Sequence, residues 1–381
     1  MTSVVQNLQP QDSQTIVQFN SEQEFQKYMD SNAHRVIVTY KKGVYDVTEF
    51  IDSHPGGDDM IKDCNGRDIS DLFHSSYPHQ HSSSAMRMLT KYKVGEIKDE
   101  KKNSDTSDNQ SSEAYPQVTQ DYIQYKDFRI SRKDGFIFQT LGLSKEQYLD
   151  FIHHPLHLDE CKLFTWKFFE FFTRNKWWYI PIAWLPVIIY FVFCGVTYDY
   201  SPRNSYIDNY LRVDSPDFNR VVLLVSFLLG MFFWTLSEYV LHRYLFHLNE
   251  VLLFNKWIRW FHFMIHGIHH LIPMDPDRLV FPPPLGYVIS ISIFAAHNCV
   301  FGGNLARILY AGTMFAYVMY DYQHWWLHHG KGGIEYFRDL KRYHNLHHFF
   351  DADQGYGITS KLWDFLFGTM IKIKEQKVSK Q

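Results

Sequence analysis

Cysteine is scarce in this chain: Cys64, Cys161, Cys194 and Cys299 are the four in 381 residues, and no two form a C-x-x-C pair. That scatter argues against a disulfide framework and against a cysteine zinc site, and it fits reduced thiols facing cytosol or lipid. Basic tracts are also missing. A net charge of −3 at pH 7 without a Lys/Arg cluster argues against nucleic-acid binding. The first residues, Met1-Thr-Ser-Val-Val-Gln-Asn7, lack the charged start and apolar core of a signal peptide, so the first domain is expected to stay in the cytosol. Aromatics, by contrast, are abundant: 32 Phe, 25 Tyr and 10 Trp make up 18% of the chain, as in membrane proteins with interfacial belts. Mean hydropathy is only −0.29, because a polar N-terminal third dilutes a much more apolar remainder. The length suggests two or three units.

Histidine is the other excess. Thirteen of the 21 histidines lie between 242 and 348, in four groups. The densest is Phe261-His-Phe-Met-Ile-His-Gly-Ile-His-His270, with His266, His269 and His270. The others are His242 with His247; His324 with His328; and His344 with His347 and His348. Residues three or four apart share a helix face, and neutral imidazole suits iron, copper and zinc. His242 and His247 are five apart, about 140° around an ideal helix, which requires a local unwinding or opposite roles. Ten candidate ligands exceed what one ion can hold, so two ions are expected. His262, His297 and His329 read as packing or supporting residues. Glu238, four before His242, and Asp321, three before His324, could accept the second N–H of a ligating imidazole.

In chain order, residues 1–20 read as a flexible N-terminus and residues 21–97 as a small α+β domain. Val36-Ile-Val-Thr-Tyr40 and Val44-Tyr-Asp-Val47 are strand-like around a Lys41–Gly43 turn. His54-Pro-Gly-Gly57, with Val44-Tyr-Asp-Val-Thr-Glu-Phe50 before it and Gly66-Arg-Asp-Ile69 after it, resembles the haem-binding core of cytochrome b5. The resemblance implies haem b with His54 as one axial ligand and a later histidine as the other. His81, 27 residues on, is preferred over His79 and His74. The family's usual first-strand tryptophan is absent, with Val36–Val38 around its place. Residues 98–120 form a polar, Ser- and Asp-rich linker that cannot bury enough apolar surface to order itself.

The remainder, 121–381, is expected to be an all-α membrane domain with about four transmembrane helices, near 178–198, 221–241, 285–301 and 305–322, a spanning helix needing about 20 residues. An aromatic run, Phe164–Phe172, is suited to the membrane interface. His153, His154 and His157 read as structural or surface residues. With the N-terminus cytosolic, four crossings return the C-terminus to the cytosol. All four histidine groups then fall on that side, as a histidine-rich di-metal cap.

Zinc has no redox chemistry, so a fused haem electron carrier points to two irons. The layout resembles the fatty acid hydroxylase superfamily of membrane di-iron enzymes. Trp177-Trp-Tyr-Ile-Pro-Ile-Ala-Trp-Leu-Pro186, Glu238-Tyr-Val-Leu-His-Arg-Tyr-Leu-Phe-His247, Pro273-Met-Asp275, Arg278-Leu-Val-Phe-Pro-Pro283 and Tyr343-His-Asn-Leu-His-His348 carry that resemblance together with the box at His266–His270. The fused b5 module points to the fatty acid 2-hydroxylases of sphingolipid metabolism. The resemblance implies an endoplasmic reticulum enzyme that hydroxylates carbon 2 of a long or very-long acyl chain, as ceramide or a precursor. It further implies O2 as co-substrate, electrons from NAD(P)H through a separate cytochrome b5 reductase, and the ten histidines as ligands. Zinc is expected to fill the site in some preparations, since it outranks ferrous iron in affinity. The alternatives are a membrane acyl or sterol desaturase or oxidase with the same boxes and, in another class, a non-catalytic haem or metal carrier.

Overall fold

The structure, a computed structural model, describes residues 16–54, 58–74, 81, 83–98, 116–156, 158, 161–197, 216–248 and 252–372. The chain divides into two compact units, Met1–Tyr115 and Pro116–Gln381. Residues 99–115 of the polar linker and Pro55–Gly57 of the haem motif lie outside the described residues, and the end expected for the linker, 116–120, instead belongs to the second unit, where Gln117 and Val118 pair in a sheet.

The first unit is a four-stranded sheet with short helices. Its strands are β1 (Val17–Phe19), β2 (Ile37–Tyr40), β3 (Gly43–Asp46) and β4 (Lys93–Ile97), in the order β1-β4-β3-β2. β1 runs parallel to β4 and the other pairs are antiparallel. Tyr40 pairs with Gly43, so the hairpin loop is Lys41-Lys42, and Lys41 takes the left-handed conformation such a tight turn demands (φ 53°). All of β2 is buried, because both its faces are covered. Ile37 and Val44 pack with Phe19 and Phe25 on one side. On the other, Val38 and Tyr40 pack with Tyr45, Phe73 and Leu89. The position where a tryptophan was missing is therefore filled by small aliphatic side chains. Helices α1 (Glu22–Ser31), α2 (Asp58–Lys62), α3 (Ser70–His74) and α4 (Ser83–Thr90) complete the unit.

The second unit is not all-α, contrary to the expectation from sequence. It opens with a three-stranded antiparallel sheet, β5 (Gln117–Val118), β6 (Tyr122–Gln124) and β7 (Arg129–Ser131). Strands this short leave almost no periodicity in the sequence. They form because Ile123 and Ile130, paired in register, join one core with Phe136, Tyr148 and Phe151. Helices α5 (Phe136–Gln139) and α6 (Lys145–Ile152) supply those residues. That core also takes in Phe263, Ile268 and Leu271, so the mixed 122–163 segment is the floor under the densest histidine box.

After α7 (Lys167–Thr173) come α8 (Tyr179–Thr197) and α9 (Pro216–Leu241), then α10 (Lys256–His262), α11 (Ile268–Leu271), α12 (Pro283–Val300), α13 (Gly303–His329), α14 (Glu335–Phe349) and α15 (Leu362–Phe367). Helices occupy all four expected spans. Among the described residues, two segments, Tyr179–Thr197 and Arg220–Phe246, are long and apolar enough to cross a membrane. α13 is buried along most of its length and so can carry Thr313, Tyr317 and Asp321, which lowers its hydropathy. α12 bears Ser290, Ser292, His297 and Asn298. α9 and α13 approach backbone to backbone at two glycines: a Cβ on Gly230 would lie 2.0 Å from the Leu309 carbonyl oxygen, and one on Gly312 2.0 Å from that of Phe227. Any side chain there would push apart the helices that carry His242 and His324.

Candidate metal centre

The ten box histidines are brought together in two groups of five, at the ends of α9 and α13 and along α11 and α14. One group is His242, His247, His266, His270 and His347; the other is His269, His324, His328, His344 and His348. Within each group one ring nitrogen per residue lies within 4.8 Å of all the others.

The irregular spacing of His242 and His247 is resolved by a π-turn. His242–Phe246 is π-helical, and the His247 amide donates to the His242 carbonyl at 2.9 Å. One residue is thereby added to the turn, so residues five apart return to one face. The local unwinding that the spacing demanded is this bulge. A second π-turn, Phe263–Gly267, leads into α11.

The nitrogens converge in a number that ordinary hydrogen bonding cannot account for. His266 Nε2 lies 3.2 Å from His242 Nε2, 3.2 Å from His247 Nε2 and 3.1 Å from His270 Nε2. His344 Nε2 lies 3.0, 2.9 and 3.1 Å from those of His324, His328 and His348. One ring nitrogen carries at most one proton and cannot satisfy three neighbours. Nitrogens that each sit about 2.0–2.1 Å from one ion at right angles, however, are about 3 Å apart. His269 Nε2 is buried without a hydrogen-bond partner, as a donor aimed at an ion is before the ion binds. Burial first, then repulsion among neighbouring imidazoles, holds His247, His266, His269, His270, His344 and His348 well below the ordinary histidine value. Neutral imidazole is the form that ligates. The residues present therefore fit two ions.

Two ligand candidates are oriented from behind by a strap that follows α14. His242 Nδ1 donates to the Tyr356 carbonyl at 2.6 Å, and His347 Nδ1 to the Gln354 carbonyl at 2.7 Å. This fixes the tautomer with Nε2 toward the metal. The strap is itself held by two buried carboxylates. Asp364 accepts from the amides of Tyr356 (2.9 Å) and Gly357 (2.8 Å). Glu238 accepts from the amides of Ile358 (2.7 Å) and Thr359 (2.8 Å), and from the Thr359 hydroxyl (2.6 Å). Glu238 thus acts on the strap and not, as expected, on an imidazole, because its oxygens are already taken by the strap. Asp321 likewise meets no imidazole. Its Oδ1 accepts weakly from the Phe281 amide at 3.4 Å, and the residue lines a cavity. The strap and Asp364 escaped the sequence reading, although Gly355 (φ 75°) and Gly357 flanking a tyrosine just past the last box are a turn signal.

The remaining histidines stay outside both groups. His262 Nδ1 is 2.5 Å from the Tyr148 hydroxyl, and its burial takes it down to about 4. His297 Nδ1 donates to the Ile293 carbonyl at 2.7 Å, and the His329 ring lies over Trp325 at 5.4 Å. His153 is exposed at the end of α6, near enough for its charge to bear on His247 and His347. His154 donates to the Asp150 carbonyl at 2.8 Å, and His157 lies outside the described residues.

A cavity of about 480 Å³ abuts the centre. His266, His269 and His324 form its metal-side wall, and Trp184, Trp234, Ile289 and Met314 line the way between α8, α9, α12 and α13. Its apolar walls suit a hydrocarbon chain with one end at the clustered histidines.

In the first unit, the His54 and His81 rings lie with centroids 6.4 Å apart and planes 18° apart. Phe73 stacks on His81 at 4.2 Å and Phe50 lies edge-on to His54 at 5.9 Å. Two nearly parallel imidazoles across a gap walled by aromatics fit the axial positions of a haem. His79 lies outside the described residues, and His74 ends α3.

Fold and sites together define a helical membrane metalloprotein with two adjacent all-histidine sites, joined in one chain to a haem-binding module. Residues 21–98 match the family model "Cytochrome b5-like Heme/Steroid binding domain", and residues 227–369 match "Fatty acid hydroxylase". The ceramide very long chain fatty acid hydroxylase SCS7 of Saccharomyces cerevisiae is 31% identical over 88% of this chain and 90% of its own length. The fatty acid 2-hydroxylase of Rattus norvegicus is 32% identical over 86% and 89%. A dihydroceramide fatty acyl 2-hydroxylase of Arabidopsis thaliana is 38% identical over 65% of this chain and 95% of its own. A solved structure described as full-length scs7p with only the hydroxylase domain visible superposes with a TM-score of 0.56 at 32% identity, covering 64% of this chain and 86% of that one. The chain belongs to the fatty acid 2-hydroxylase family, whose members with an N-terminal cytochrome b5 domain it matches over most of its length.

Proposed function

We propose that the protein hydroxylates carbon 2 of long or very-long fatty acyl chains carried by ceramide or a related sphingolipid, as the names of its relatives state for them. The observation that carries this reading is an apolar cavity ending on three of ten convergent histidines. In balance, one O2, two electrons and two protons convert a C–H bond to C–OH and yield one water. Two iron ions, one in each histidine group, would supply the reduction of dioxygen and the oxidising power for the C–H bond. Zinc competes for the same nitrogens. A haem held by His54 and His81 would supply single electrons, received from NAD(P)H through a separate reductase.

The chain's own residues do the rest. The cavity walls hold the acyl chain and exclude water, and the carbons next to the amide are presented at His266, His269 and His324. The Tyr356 and Gln354 carbonyls hold His242 and His347 in one tautomer. A separate haem unit on a polar tether raises the local concentration of reductant without shaping the product. We place the enzyme in the endoplasmic reticulum membrane, with the helices near 178–198, 221–241, 285–301 and 305–322 as spans. Both termini and the histidine cap then face the cytosol. The domain limits are read as 21–97 for the b5 module, a tether from 98 that ends before the strand at Gln117, and the hydroxylase from there to 381.

Mass spectrometry of membrane lipids with and without the chain tests the reaction. A gain of one oxygen at carbon 2 is expected, and a new double bond instead would make the chain a desaturase.

A further inference from the structure

Two exposed side chains mark where the cavity lining reaches the surface. Of the side chains that line the cavity, all but two are buried or half-buried; the exposed ones are Phe172, at the end of α7, and Pro284, in the first turn of α12. α7 itself is unusual: it has no buried residue, yet four of its seven residues are phenylalanine. Phe168 is 70% exposed, Phe171 72% and Phe172 53%. A patch of this kind at a water-facing surface marks a partner or a lipid phase.

α7 is also fixed in place. Glu170 pairs with the buried Arg278 guanidinium, which donates to the Thr173 hydroxyl at 2.9 Å and to the Cys161 carbonyl at 3.1 Å. The Asn175 amide donates to the Asp277 carbonyl at 2.7 Å. The helix is therefore clamped to the 275–281 loop, whose Leu279, Val280 and Phe281 form the cavity wall. Six residues beyond Thr173 begins α8, an apolar helix long enough to span, with exposed Trp177 and Trp178 at its head. Tryptophans there belong at the headgroup level, which puts α7 at the same depth.

We propose that α7 lies in the bilayer leaflet nearest the histidine groups, and that it forms the rim over which a lipid's acyl chain passes sideways into the cavity between Phe172 and Pro284. The occupant of the aromatic face is phospholipid, by continuity with α8 and with the cavity mouth. A substrate too insoluble to cross water would then never leave the membrane. This inference rests on the reading of the cavity as an acyl site, and its test has an arm independent of turnover.

The full chain is placed in dioleoylphosphatidylcholine nanodiscs containing ceramide, with p-benzoylphenylalanine in place of Phe168, Phe171 or Phe172. Ile189 of α8 serves as a lipid-facing control and Lys133 as a water-facing one. After irradiation, mass spectrometry should find phosphatidylcholine adducts at 168 and 171 as at 189, and ceramide adducts at 172. Silence or protein adducts at 168 and 171, while 189 is labelled by lipid, would overturn the proposal. In the second arm, Phe168→Asp with Phe171→Asp should lower kcat/KM for bilayer ceramide roughly tenfold and leave a short-chain ceramide in detergent unaffected. An equal loss on both substrates would show that α7 is merely structural. A chain that labels as expected but hydroxylates nothing would keep the lipid contact and remove the enzymatic reading.

Discussion

His269 and His270 are consecutive in the chain and belong to different clusters. The His269 ring lies 4.8 Å from His324 and 4.9 Å from His328, whereas His270 Nε2 lies 3.1 Å from His266 Nε2. One helical step of about 100° thus divides the box between two sites. The sites abut, since the His270 ring is 4.3 Å from that of His348. Each alanine variant should then cost one ion: His269→Ala and His270→Ala should each fall from about two bound metals to about one. Elemental analysis reads this directly, and loss of both ions from either variant would mean that the sites fill only as a pair.

Glu238 reaches the metal centre through the strap. Glu238→Gln keeps an acceptor for one strap amide and Glu238→Ala keeps none. The alanine variant should lose on the order of 10–100-fold in metal affinity or activity, and the glutamine variant less. The loss should fall on the group containing His242 and His347, which the strap orients. A titration in which the other group weakened instead would contradict this route.

In the haem unit, His54→Ala and His81→Ala should each abolish the spectrum of six-coordinate, low-spin haem. The absorption spectrum of the purified protein decides it. If His81→Ala keeps that spectrum and His79→Ala loses it, the distal ligand has been misassigned.

The same unit should have an acid-sensitive contact at Asp46. Burial alone would raise its carboxyl, but hydrogen bonds from Thr48 and Arg35 outweigh burial and hold it below the ordinary value. A lower pKa in the folded state stabilises the fold above the unfolded value of about 3.9, and that gain disappears as pH falls through the folded value. Asp46→Asn should therefore destabilise the unit at neutral pH and flatten its stability below about pH 4, as measured by denaturant unfolding across pH. An unchanged pH profile would remove Asp46 from acid unfolding.

Much of this was legible in the sequence, for reasons that can be named. Imidazoles at i, i+3 and i+4 announce a shared face, and apolar runs of about 20 residues announce long helices. The haem motif announces itself through a proline and two glycines beside a histidine. What was hidden depended on contacts distant in sequence. Tyr356 and Gln354 orient ligands through their backbone carbonyls, which leave no trace in residue type. The role of Glu238 follows from a strap 120 residues away. The division between His269 and His270 required knowing which helices flank α11. The short strands around Ile123 and Ile130 were invisible because two or three residues carry no period.

The most direct measurement is hydroxylation under isotopically labelled dioxygen. The full chain, loaded with ferrous iron in a bilayer containing ceramide, is supplied with 18O2, NADH and a cytochrome b5 reductase, and the acyl chains are analysed by mass spectrometry. Oxygen insertion predicts one 18O atom at carbon 2, absent when zinc replaces iron. An unlabelled hydroxyl, a double bond, or equal turnover with zinc would contradict it.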